Sequence, residues 1–479
     1  MELDAAVGAA PEVTVCGRPA AEAFGKAPTF IPSEAGVGKP ALRAEGVFLS
    51  TAGPCAVTVA GGPSAAWTVY AVPKKPRAKN VILLIGDGMS LAHRTAARAM
   101  RGHSSGRAKA PLAMDDMPHT ALVGTSASDS LLPDSAQTAT AYSLGLKTAV
   151  ESVGVMADRT EDAFDDPKAE HLLALARRKG LATGIVTTAA LVDATPAAFF
   201  AHTRWREKYA EIGAQLPLEA PEVALGGGAA ALAPKSVGAM RAAGWEYAAD
   251  AKTLTERAAA PGTKKLLGVF ERGFVLMAEG ALIDKYSHQL DWERAVLDTL
   301  EFDMAVARAK AFAAKDGNTL VLVVSDHTHG ASVSGMVRDD LPGPLMRDKV
   351  GTYDYAGYPD YKDADGDGYP DRLDVPKRLA FFFSAYPDHY ETWGPKLDAP
   401  FDPAKKAGKG LYAANEAYKS VPGAVLREGN IPRVFDSGVH SAEDVILTGM
   451  GPGSERVKGW LENTEVFRIM AEALSLGAP

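Results

Sequence analysis

The chain has 479 residues, 47% of them hydrophobic and 23% charged, with a formal net charge of −8. That length leaves room for a large core, and the negative balance argues against nonspecific binding to nucleic acid. No apolar run approaches the length of a membrane span; the longest are strand-sized.

Residues 1 to about 75 are rich in Gly, Ala, Pro, Val and Thr. Gly46–Ser50, Cys55–Ala60 and Ala66–Ala71 are predicted strands between Gly/Pro turns. The region is therefore expected to be a small β-rich N-terminal module, followed by the linker Pro73-Lys74-Lys75-Pro76. Its two cysteines, Cys16 and Cys55, are the only two in the chain. They form either one disulfide, which favours an oxidising compartment, or two unrelated buried thiols. The opening Met1-Glu2-Leu3-Asp4 is not a signal peptide.

From Asn80 the pattern changes. Val81–Ile85, Ala182–Thr187, Phe274–Met277 and Leu320–Val324 are predicted strands, with helices expected over Asp166–Lys179 and Trp292–Lys315. Strands alternating with helices predict an α/β fold over residues 76–479, with a mostly parallel central sheet flanked by helices on both faces. Each predicted strand leads into polar chemistry: Asp87, Asp193, Glu279 and Asp326-His327. In open α/β sheets that carboxyl edge is where ligands bind.

Between the first two strands, the turn Leu132-Pro133-Asp134 delivers Ser135 to an Ala/Thr-rich helix. A hydroxyl at a helix start is placed to carry a phosphoryl group, although Asp-Ser there is also an ordinary helix cap. Asp284 and His288, four apart, share one helix face and could grip a cation or simply be solvated. Asp326-His327-Thr328-His329 follows a strongly apolar strand, and His440 precedes another predicted strand.

Two stretches fit the core poorly. Residues from about 212 to 265 are Ala-rich with Gly226-Gly227-Gly228 and are expected to be an excursion. Residues from about 333 to 435 are rich in Tyr, Asp, Pro and Gly and are expected to form an inserted, cap-like subdomain. Within it, Asp363, Asp365, Asp367, Asp371 and Asp374 fall at loop positions one, three, five, nine and twelve, with Gly368 at six. That pattern predicts a stand-alone calcium loop over 363–374; the plain alternative is a solvated acidic turn.

Seven blocks, in order, resemble the alkaline phosphatase family: Asn80 with Ile85-Gly86-Asp87-Gly88-Met89; Pro133-Asp134-Ser135-Ala136; Asp193-Ala194-Thr195-Pro196; His202 with Arg206; Glu279-Gly280 with Asp284-Lys285 and His288; Asn318 through Asp326-His327 and His329; and His440-Ser441-Ala442-Glu443-Asp444-Val445. The resemblance covers about 80–210, 270–332 and 436 to the end. It implies a metal-dependent phosphomonoesterase that works through a phosphoserine on Ser135. Asp284, His288 and His440 would hold one zinc, and Asp87, Asp326 and His327 a second. Asp87, Asp193, Thr195 and Glu279 would hold magnesium, and His329 would orient a ligand carboxylate. This division suits the chemistry, since histidine-bearing sets favour zinc and an all-oxygen set the harder magnesium. Arg206 would clamp the phosphate, Asp134 would position that arginine, and Lys285 would reach the phosphate through water. Asp193 with Lys285 is the combination that favours magnesium at the third site. Ser90 stands where the family often has glycine, and Gln137 where it has a small residue. Gln137 and Trp205 are expected to narrow the pocket or restrain Arg206. The resemblance further implies a periplasmic or secreted protein, a monomer or homodimer, with small phosphomonoesters and inorganic phosphate as partners and no nucleic acid beyond terminal phosphates as substrate. A phosphodiesterase or sulfatase on the same core, and a noncatalytic phosphate-binding or adhesion protein, are the competing readings.

Overall fold

The computed structural model describes residues 1–3, 9–219, 221–229, 231–232, 234–259, 273–396 and 398–477. Its centre is a sheet of eight strands, numbered in chain order: β1 (Asn80–Gly86), β2 (His119–Gly124), β3 (Ala182–Ala190), β4 (Val223–Gly227), β5 (Phe274–Gly280), β6 (Thr319–Val324), β7 (Val445–Met450) and β8 (Lys458–Glu462). The spatial order is β4-β3-β5-β1-β6-β7-β2-β8. All neighbours are parallel except β7, which runs antiparallel to both β6 and β2. The α/β architecture expected from strand–helix alternation is the one observed.

The apolar runs of β1 and β6 are continuous because helices cover both faces and every residue is buried. Side chains still alternate. Val81, Leu83 and Ile85 pack with Tyr142 and Ile469 on one face. Ile82 and Leu84 pack with Val296 and Val306 on the other. Helices Ser135–Leu144 and Asn463–Leu474 cover the first face; Leu91–Met100 and Trp292–Asp316 cover the second.

Three expectations need correction. The helix predicted over Asp166–Lys179 forms only at Leu172–Arg178. Its first residues are drawn into loop contacts, with Asp166 Oδ1 accepting from Asp158 N and Lys168 bridging to Val155. Gly46–Ser50 finds no partner strand; Ala41–Arg43 pairs with Thr29–Ile31 instead. A strand without a ladder has no backbone partners to hold it. The stretch 212–265 is not wholly an excursion, because Val223–Gly227 is β4 at the sheet edge beside β3. A Cβ at Gly226 would meet Thr187 at 2.7 Å, so glycine permits that pairing. Residues 260–272, which include the end of this stretch, lie outside the described residues.

The N-terminal residues build a separate four-stranded sheet from Val13–Val15, Arg18–Pro19, Gly53–Val59 and Ser64–Val69. Cys16 and Cys55 are joined in a disulfide. Beyond β6, Ala331–Arg338 pairs with Lys377–Phe383 as an antiparallel ladder that lies outside the central sheet. Among the described residues no helix is long and apolar enough to cross a membrane.

Candidate active site

Strand order explains how residues far apart in sequence meet. β3, β5, β1 and β6 are consecutive neighbours, and their carboxyl ends lead into Asp193, Glu279, Asp87 and Asp326 respectively. Asp87, on the third of the four, stands between Glu279 and Asp326. β7 is antiparallel, so its entry point lies at the same edge and brings in His440. The helix Leu282–His288 follows β5 directly and presents Asp284, Lys285 and His288.

Ser135 is the first residue of its helix, not the cap. Asp134 is the N-cap, with extended backbone and a carboxylate accepting from Gln137 N at 3.1 Å. Ser135 is buried. Its Oγ lies 3.1 Å from His327 Nε2 and 3.4 Å from Asp87 Oδ1.

The groups around it look built for cations. His288 Nδ1 faces the Gly438 carbonyl at 2.7 Å, and His440 Nδ1 faces the Pro133 carbonyl at 3.0 Å. Each Nδ1 must therefore carry the proton and donate it, which leaves the lone pair on Nε2. Those two Nε2 atoms approach to 3.1 Å, and each is 3.4 Å from Asp284 Oδ1. With both imidazoles neutral, these three acceptors repel one another, and a cation among them would relieve that repulsion. His329 Nε2 bonds Asp284 Oδ1 at 2.6 Å. Ligand atoms of Asp284, His288, His329 and His440 fall within 4.8 Å of one another.

The second expected set, Asp87, Asp326 and His327, is not the group whose ligand atoms converge. The donors that converge with those of Asp87 and His327 come from Asp284. Asp326 Oδ1 accepts from the Gly88 N–H at 3.1 Å, while its fully buried Oδ2 has no hydrogen-bond partner and lies 3.4 Å from His327 Nε2. In the third set, the buried Thr195 Oγ1 is likewise without a partner, and Glu279 is bonded by the Thr187 hydroxyl.

Burial, with Asp326, Asp284 and Glu279 close by, pushes the Asp87 carboxyl well above the usual range. Burial, with Asp193 and Asp326 nearby, pushes Glu279 up to about 8. Two protein cations offset this crowd. Arg206 reaches Asp134 Oδ2 at 3.3 Å and Asp193 Oδ1 at 3.2 Å, and Lys285 reaches Asp193 Oδ2 at 3.1 Å. Burial disfavours both charges, yet the carboxylates around them raise both pKa values. Four buried carboxylates, Asp87, Glu279, Asp284 and Asp326, together with the half-buried Asp134 and Asp193, outnumber the two cations, an imbalance that bound metal ions would offset.

Model matches to residues 78–272 and 265–476 carry the family description "Alkaline phosphatase". The chain belongs to the alkaline phosphatase family. It is 31% identical to an alkaline phosphatase of Escherichia fergusonii over 368 residues, 58% of this chain and 75% of that one. It is 28% identical to alkaline phosphatase 3 of Bacillus subtilis, over 83% of this chain and 89% of the relative. The alkaline phosphatase of the Antarctic bacterium TAB5 shares the fold at a TM-score of 0.56, with 22% identity, covering 85% of this chain and all of that one, 100%. Membership makes this chain a phosphatase-type hydrolase acting on phosphoesters.

Several features of this alkaline phosphatase family member were not legible in its sequence. Glu151 adopts a left-handed φ of 64°, donates its N–H to Asp134 Oδ2 at 3.0 Å and accepts from the Arg206 N–H at 3.0 Å. No motif marks it. The Trp205 ring lies under Arg204, whose guanidinium carbon is 4.1 Å from the ring centre. Gln137 is fully buried and donates to the Thr125 carbonyl at 2.8 Å, so it braces the helix Ser135–Leu144. Ser90 begins a helix in place of the glycine, pairing with His93, which in turn meets Ser287 at 3.0 Å. In the acidic loop, Asp363, Asp365 and Asp371 come together. Asp367 instead receives the Tyr369 N–H, and Asp374 is not in the group.

Proposed function

We propose that the protein hydrolyses phosphate monoesters to an alcohol and inorganic phosphate through a covalent phosphoserine on Ser135. The observation that carries this reading is the placement of Ser135 Oγ beside His327 and Asp87, at the edge of acceptor clusters that need cations. Asp284, His288 and His440 would hold one zinc; Asp87, Asp326 and His327 a second; Asp87, Asp193, Thr195 and Glu279 magnesium. A TAB5 alkaline phosphatase variant is described with Mg bound in its M3 site, which supports a third ion. When bound, these ions would supply the Lewis acidity that activates the serine hydroxyl and stabilises the departing oxygen.

The chain's own residues do the rest. Ser135 Oγ forms the bond to phosphorus as the ester P–O bond breaks and the alcohol leaves, and water then cleaves the phosphoserine. The helix start supports the developing negative charge with free backbone N–H groups. Arg206 offers a planar fork to two nonbridging oxygens, held in place by Asp134 and Asp193. Lys285, anchored by Asp193, faces the same anion through water. A monoester dianion suits this charge set better than a diester or sulfate, which presents fewer charged oxygens.

Turnover of an aryl phosphate, a bis-aryl phosphate and an aryl sulfate should be compared for wild type and S135A. The monoester should be hydrolysed fastest, and S135A should lose that activity by at least about a thousandfold while keeping its metal content. Preference for diester or sulfate, or an active S135A, would overturn the reading. We further propose that Asp363, Asp365 and Asp371 anchor a calcium ion, with Asp367 and Asp374 completing the loop. Calcium should then raise the melting temperature of the wild type but not of D363A. The Cys16–Cys55 disulfide supports a periplasmic or secreted location.

A further inference from the structure

The N-terminal module has no part in the chemistry above, yet its contacts lead to the phosphate clamp. Glu34 is buried and accepts from Arg159 Nε at 2.8 Å. The same guanidinium donates to the carbonyls of Leu3 at 3.1 Å and Pro40 at 2.7 Å. Arg43 of the module bonds the Asp158 carboxylate and the Asp165 carbonyl. The module thus grips the outer side of the loop at residues 150–166.

The inner side of that loop holds the segment Thr203–Arg206. Val153 and Thr203 exchange two backbone hydrogen bonds of 2.9 Å. The Ala163 carbonyl accepts from Arg204 N at 2.9 Å, and the Glu161 carbonyl from Trp205 Nε1 at 3.4 Å. Glu151 closes the chain, joined through its N–H to Asp134 and through its carbonyl to Arg206. Thus the loop that positions Arg206 has no helix or strand of its own and is framed by the module on one side. The left-handed Glu151 conformation is one a non-glycine residue keeps only where its surroundings impose it.

We propose that the N-terminal module positions the phosphate clamp: the Glu34–Arg159 and Arg43–Asp158 pairs hold the 150–166 loop in the shape that aims Arg206 at the phosphate. Glu34 and Arg159 are positioning residues in this scheme, acting through Arg206. The proposal rests on Arg206 as the clamp of the reading above.

The test is a double-mutant cycle on the full-length, metal-loaded protein. E34A should raise KM for an aryl phosphate and the inhibition constant of inorganic phosphate about tenfold, with kcat, metal content and far-ultraviolet circular dichroism little changed. In an R206A background, E34A should change neither constant further. A lowered melting temperature with unchanged KM and phosphate inhibition would make the module merely structural and overturn the proposal. So would an E34A effect of undiminished size in R206A. If E34A does not fold, E34Q and R159K carry the same cycle, with smaller effects in the same direction. Should R206A itself leave both constants unchanged, the clamp reading fails; if only the E34A arm is silent, the module proposal fails alone.

Discussion

Asp166 shows how much burial can weigh on one carboxyl. It is buried, its Oδ1 accepts from Asp158 N at 2.8 Å and its Oδ2 has no partner. Burial, helped by the nearby acids Asp158 and Asp165, pushes its pKa up to about 6. The folded state therefore binds the proton more tightly than the unfolded chain, whose carboxyl titrates near its ordinary value. The resulting stabilisation is complete below about pH 4 and is lost as pH rises through about 6. Above that, the ionised carboxylate is a cost. D166N should raise stability by about 1–3 kcal/mol at pH 8 and leave it nearly unchanged at pH 4, as read from denaturant melts at the two pH values. Ser135 makes the complementary point. Its Oγ neighbours, Asp87 and His327, come from the ends of two strands, β1 and β6, while the residue next to it in sequence, Asp134, takes the capping role.

At the scale of the element, the helix Ser135–Leu144 is buried along its whole length. Its alanines and threonines are small because other elements approach it closely, and it has almost no amphipathic stripe to advertise its packing. It ends at Gly145, whose φ of 71° gives a left-handed cap with its N–H bonded to the Ala141 carbonyl. A Cβ there would lie 2.5 Å from Phe467 Cδ1, on the helix Asn463–Leu474. G145A should therefore cost about 2–4 kcal/mol, from backbone strain plus overpacking, and should lower the thermal midpoint without altering metal content. The strands β1, β3, β5 and β6 were legible because each is a short apolar run ending in chemistry. β4 was not, since three of the five residues of Val223–Gly227 are glycine or alanine and the strand gains its identity from the edge of β3. The shortened helix at Leu172–Arg178 has the same explanation in reverse: loop hydrogen bonds claim residues that helical periodicity would have taken.

At the scale of the molecule, the N-terminal sheet is small, and its cluster of Val15, Ala20, Cys55 and Val57 is too limited to hold it strongly alone. The disulfide closes a separation of 39 residues and should contribute about 3–4 kcal/mol to the module. A C16S/C55S variant should melt at lower temperature by calorimetry. If the module aims Arg206, its KM for a phosphomonoester should also rise well below that melting transition.

The residue types of the site, their order along the chain and the parallel α/β core were all readable in one dimension. Asp87, Glu279, Asp326-His327 and the Asp284/His288 pair sit beside apolar strands or at helical spacing, and such local patterns survive without knowledge of contacts. The pairing of Cys16 with Cys55, the cap at Asp134, the left-handed Glu151 and the path from Glu34 to Arg206 depend on residues up to more than a hundred positions apart. Such contacts form only when chain folding brings the elements together, and no periodicity encodes them. Strand order is the clearest case. That Asp87 stands between Glu279 and Asp326 follows from β5-β1-β6 adjacency, which packing of two helical layers against one sheet selects and linear sequence leaves open.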